Sequence, residues 1–177
     1  GFSAIVRSRP RTNAELPTAT SKRLLGAELV MIGIAPKVSG YAGVVGDSIP
    51  ASGQYSERQQ VCMRHLKEAF RLTKAQLQPG RIGKEIDAPA RAYFAKHDLS
   101  KYLVCPFAHT IGLHEAESPF FGPHSHDVLK PGMTVCIDVS FFGHPEFNGV
   151  RIETGYEITA SGPVPFSRKM DALFCQD

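Results

Sequence analysis

The sequence has 177 residues, of which 42% are hydrophobic, 21% charged and 9% aromatic, with no Trp. That supplies enough apolar material for a core and excludes wholesale disorder. The net charge of +3 comes from scattered residues apart from Arg7, Arg9 and Arg11, so the footprint of a nucleic-acid binder is missing.

No run approaches the ~18 apolar residues that a membrane-crossing helix needs. The first residues lack a signal-peptide pattern. Cys62, Cys105, Cys136 and Cys175 are far apart and form no CxxC. Reduced thiols in a cytoplasmic protein are therefore expected.

Residues 2–6 read as a strand, followed by a polar loop punctuated by Pro10 and Pro17. The runs AELVMIGIAP and SGYAGVVGDSIP are β-prone and are joined through residues 36–40 as a hairpin. A long helix is expected over 54–78. Ser56 and Gln59 make a capping-box pattern, and Cys62, Leu66, Ala69, Phe70 and Leu77 recur near the helical period. Pro79-Gly80 ends it. A second helix is expected over 84–97, with Ile86, Ala90, Tyr93 and Phe94 on one side. Pro89 in its first turn would move the start toward Asp87. Three strands should follow, within KYLVCPFAHTIGL, MTVCIDVSFF and VRIETGYEITA. This order predicts an α+β fold with a mostly antiparallel sheet.

Three segments combine ionisable residues with β-prone neighbours: AHTIGLHEAESP, PGMTVCID and GVRIE. Asp138 follows Val-Cys-Ile on a strand that should be buried, where an ionised carboxylate needs a partner or a cation. Glu153 and Arg151 alternate onto one face of their strand. Taken singly, an Arg-Glu pair two apart is a surface ladder, and a lone His109 is a satisfied histidine.

In this order, HTIGL…E-S-P, PGMTVCID and GVRIET resemble the GHGIGL…HE-x-P, PGMVFTIEPG and GVRIED segments of the pita-bread family. That family comprises methionine aminopeptidase, Xaa-Pro aminopeptidase, prolidase and creatinase. The upstream pieces SRPRTNAELPTATSKR, GAELVMIGIAPKVSGYAGVVGDS and LQPGRIGKEI resemble its hairpin-and-helix half, so the likeness spans nearly the whole chain. The resemblance implies a pita-bread fold in which residues 1–177 are the C-terminal portion of a single catalytic-type domain. The N-terminal helices and strand would lie outside it.

Carried over by position, the family's ligand histidine falls on His109, its glutamate ligands on Asp138 and Glu153, and the HE-x-P glutamate on Glu117. The two hairpin aspartate ligands fall on Gly33 and Val44, the substrate-contacting histidine on Thr18, and the second histidine of the HE segment on Ala116. Asp47, three residues past Val44, should point to the opposite face unless a bulge redirects it.

The expected chemistry is cleavage of a C–N bond in a small nitrogenous or amino-acid-like substrate by acid–base catalysis, without a dinuclear metal centre. His109 is the expected proton shuttle, with an unperturbed pKa of ~6.5. Asp138 and Glu153 would hold a substrate cation and Glu117 would orient or protonate. Arg151 would bind a carboxylate, and His114 would line the substrate site. No cofactor is expected beyond one weakly held divalent ion on His109, Asp138 and Glu153. The alternatives are a catalytically inactive binding module and a metal-dependent Xaa-Pro-type peptidase. Expected partners are a small-molecule or peptide-like substrate and a second chain supplying the missing N-terminal part, with a homodimer by resemblance. Neither nucleic acid nor membrane is expected.

Overall fold

A computed structural model describes residues 4–14 and 20–176. Ten strands and three helices follow one another as β1 (Ile5–Ser8), β2 (Leu29–Ile34), β3 (Lys37–Val38), β4 (Tyr41–Ala42), β5 (Val45–Pro50), α1 (Glu57–Gln76), α2 (Gly83–Lys96), β6 (Ala108–Thr110), β7 (Glu117–Phe120), β8 (Thr134–His144), β9 (Asn148–Thr159), β10 (Gly162–Pro165) and α3 (Arg168–Cys175). An eight-stranded antiparallel sheet has the order β1-β2-β5-β9-β8-β6-β7, with β10 also paired to β9. The expected α+β architecture is present. No helix among the described residues is long and apolar enough to cross a membrane.

Helix α1 starts where the capping box placed it. The Ser56 hydroxyl accepts from Gln59 N, and Gln59 Oε1 accepts from Ser56 N. Its buried stripe of Cys62, Leu66, Ala69 and Phe70 packs with Ile86, Ala90 and Phe94 of α2. Both helices lie over the face of β8 and β9 that carries Val135, Ile137, Val139, Val150 and Ile152. Paired residues share a face in an antiparallel sheet, so alternate positions on these strands face away from the helices.

Several expectations need correction. Helix α2 begins at Gly83, so Pro89 sits in its interior and not in its first turn. Proline there forgoes its own bond to the i−4 carbonyl and crowds that carbonyl, and the buried face of Ile86, Ala90 and Phe94 holds the helix together around it. The strand expected within KYLVCPFAHTIGL shrinks to Ala108–Thr110, because Pro106 cannot donate to a ladder and residues 100–102 turn as a 3₁₀ helix. Strands β7 and β10 and helix α3 were not anticipated. The first strand runs to Ser8, and its expected start at residue 2 lies outside the described residues.

The helix-facing side of β1, β2 and β5 is covered differently from that of β8 and β9. Val6 pairs with Ile32, Val30 with Ile49 and Ile34 with Val45, which puts all six on one face. Val6 is 56% exposed, Ile34 42% and Ile49 38%. A sheet face with three half-open aliphatic side chains favours association. The chain alone is expected to elute above its 19.3 kDa mass and to bind a hydrophobic dye, with Val6→Thr and Ile49→Thr reducing both. A monodisperse, dye-silent 19.3 kDa monomer would overturn that expectation.

Candidate active site

The register across the sheet lines up one row of positions. Gly33 of β2 pairs with Gly46 of β5, Gly46 with Glu153 of β9, and Glu153 with Asp138 of β8. All four share the face turned away from α1 and α2. Cys136, two residues before Asp138, shares it too, and its partner on β6 is His109. The topology therefore brings His109, Asp138, Arg151 and Glu153 to one side of three adjacent strands.

Glu153 is the most constrained of these. It is fully buried, and its carboxylate lies over the Gly46 backbone, where a Cβ would come within 2.5 Å of Oε1. The glycine is what leaves room for the side chain. Neither carboxylate oxygen has a hydrogen-bond partner among the described residues. Burial raises its pKa, Asp138 directly opposite raises it further, and Arg151 only partly offsets them, leaving it at about 8. Glu153 is thus mainly protonated at neutral pH.

Arg151 Nε lies 3.2 Å from Asp138 Oδ1, out of line for a hydrogen bond, and the guanidinium sits 5.8 Å from the Phe142 ring centroid. Both ionic side chains are more than nine-tenths buried, so the Arg151 charge is spent on Asp138. Ser48 fixes this part of β9, its hydroxyl accepting from Arg151 N and donating to Arg151 O.

His109 is 6% exposed, with Nδ1 3.0 Å from Thr110 O and its ring 5.8 Å from Phe120. The Cys136 thiol opposite is pushed well up by burial and stays neutral. Glu117 is placed differently from Glu153. Its Oε1 accepts from His114 N, and its carboxyl lies against Gly112, so it closes the loop that carries the exposed His114. Glu115 of the same loop lies within electrostatic reach of Glu153, Arg151 and Cys136. The sequence carries no signal for that proximity, which depends on residues far apart in the chain.

The hairpin positions behave as their side chains dictate. Gly33 offers no donor, and Val44 packs with Ile111 and Cys136 in a small apolar cluster. Asp47 pairs with Ile32 on the helix-facing side, where it borders a cavity with Tyr55, Lys67 and Phe174. No bulge redirects it. Thr18 lies outside the described residues. A two-ion centre needs donors that bridge ions about 3.5–4 Å apart. Here two of its positions carry none, and one of its carboxylates already faces a guanidinium. Among the described residues, no three His, Cys, Asp or Glu side chains are grouped to hold a metal. The residues present do not fit that centre. Cavity size does not mark the site either, since a space of about 500 Å³ is bordered by Arg9, Glu28, Gln59 and Phe147 instead.

Comparison with known proteins gives a consistent result. The description "Metallopeptidase family M24" matches residues 1–160. The uncharacterized peptidase YqhT of Bacillus subtilis (strain 168) is 30% identical over 161 residues, which are 91% of this chain and 45% of that protein. The prolidase from Pyrococcus horikoshii OT3 superposes with a TM-score of 0.84 at 27% identity, over 93% of this chain and 47% of its own. An Xaa-Pro dipeptidase from Bacillus anthracis gives 0.85 at 26% identity, over 94% and 46% respectively. The chain spans about half the length of the relatives it matches.

Proposed function

The chain belongs to metallopeptidase family M24, and from that premise we propose that it is a peptidase-like hydrolase cleaving a C–N bond in a small amino-acid-like substrate by acid–base chemistry. The observation that carries this reading is the fully buried carboxyl of Glu153, set directly opposite Asp138 with both of its oxygens unpartnered among the described residues, which raises its pKa. A carboxyl group whose surroundings raise its pKa is suited to give up a proton near neutral pH.

In hydrolysis, the oxygen of water bonds to carbon while the departing nitrogen takes a proton. Glu153 supplies that proton, and a carboxylate so formed is well placed to hold a cationic nitrogen. Arg151 keeps a positive charge beside Asp138. His109 accepts the proton from water, and Glu115 adds negative charge at the edge of the site. The donor set supports no step through a metal pair.

A second reading is a non-catalytic binding module. It is favoured by the complete burial of Glu153 and by the empty donor positions Gly33 and Val44. Purified chain should be analysed for bound metal and assayed on dipeptides and small amides with and without added Mn²⁺, Co²⁺ or Zn²⁺. Metal-independent turnover that disappears in His109→Ala, with little change in Tm, is the expected result. Two tightly held ions per chain would overturn it in favour of a metal-dependent peptidase, and absence of turnover in every condition would favour the binding module.

A further inference from the structure

We propose that the groove between α1, the segment after α2 and the β8–β9 hairpin binds an uncharged, planar heteroaromatic molecule. The groove measures about 400 Å³ and is lined on one side by His65 and His97 and on the other by His144 and Phe147. Cys62, Leu99 and Phe141 are buried and form its apolar floor. That volume is within the range of small-molecule sites, about 300–1,000 Å³. Phe141 packs with the helices, so the groove and the Glu153 site occupy opposite sides of the sheet.

The walls carry rings in contact with one another. His65 and His97 lie 4.7 Å apart between centroids, Tyr93 stands 4.4 Å behind His97, and His144 stacks on Phe147 at 4.9 Å and 24°. Flat rings add to such an array by offset stacking, at a gain a saturated ring of the same area does not obtain.

The polar atoms select further. His144 Nδ1 accepts from the backbone N–H groups of Glu146 and Phe147, which fixes the proton on Nε2 and makes that atom a donor. His65 Nδ1 is engaged by the Tyr93 hydroxyl at 3.0 Å, which leaves Nε2 as its unspent position. Burial lowers the pKa of both imidazoles, so they are neutral at pH 7. Arg58 and Glu146 at the rim neutralise each other at 2.7 Å. With the charges paired and the imidazoles neutral, a charged ligand gains no counter-ion, whereas a ring nitrogen can meet an Nε2 atom.

The probe is 7-azaindole, because its pyridine-type nitrogen can accept from His144 Nε2 and, in a chain that contains no tryptophan, its fluorescence reports the ligand alone. Saturable one-to-one binding is expected, without displacement by an equal concentration of cyclohexylmethanol. His144→Leu removes the donor, and Val61→Phe fills the mouth from a position that is 44% exposed. Each should weaken binding at least tenfold, and Val61→Phe should leave Tm unchanged. Non-saturable binding, equal displacement by cyclohexylmethanol, or wild-type affinity in Val61→Phe would overturn the proposal. Should His144→Leu fail to fold, Val61→Phe alone decides.

Discussion

Glu153→Gln is expected to abolish activity and to change how stability depends on pH. The folded pKa of about 8 lies above the ordinary 4.5. The protonated carboxyl therefore contributes its full stability below pH 4.5. Between 4.5 and about 8 the unfolded chain releases a proton that the folded chain keeps, so stability falls as pH rises, and the loss is complete above 8. Glutamine has nearly the same shape and never ionises. The variant should match wild type in acid, flatten the pH profile and exceed wild-type stability at pH 8 by on the order of a few kcal/mol. Urea unfolding at pH 4, 6 and 8 measures this. A wild-type profile with no decline between pH 5 and 8 would show that Glu153 ionises without penalty and would remove it as proton donor.

Phe70→Ala is expected to cost about 3–5 kcal/mol through lost burial and the cavity left behind. The ring is fully buried where three elements meet. It lies edge-on to Phe174 of α3 at 5.2 Å and tilted against Tyr156 of β9 at 6.3 Å. A Tm decrease of about 10 °C or more follows for a domain of this size, measured by calorimetry. A loss below about 1 kcal/mol would mean that the helix layer repacks.

Much of this architecture is legible from local chemistry. The Ser56/Gln59 cap and the apolar period after it specify α1 without reference to the rest of the chain. The alternation of Val135, Ile137 and Val139 with Cys136 and Asp138 marks one strand face for the core and the other for the site. The offset of three residues between Val44 and Asp47 was enough to send that carboxylate to the far side. Helix α3 escaped because eight residues carry too little periodicity to stand out. Its Ser167 cap is a weak signal, and the burial of Phe174 in the core accounts for its place. Pro89 misled in the opposite direction, since the packing of Ile86, Ala90 and Phe94 outweighs the missing backbone bond and the crowding of the i−4 carbonyl.

The amino-acid order by itself determined the types of the long elements α1, α2, β2, β5, β8 and β9, the alternation of faces along those strands, and the family's three segments in their proper succession. These depend on spacing within short windows and on backbone sterics. It could not determine that the pKa of Glu153 is raised or that Glu115 lies within electrostatic reach of it, because both depend on distances between residues far apart in the chain. Desolvation of Glu153 requires β5 on one side and β8 on the other, with Gly46 and Asp138 in register. Only the assembled sheet sets how much water and how much opposing charge reach a carboxyl group, and the site's chemistry follows from that.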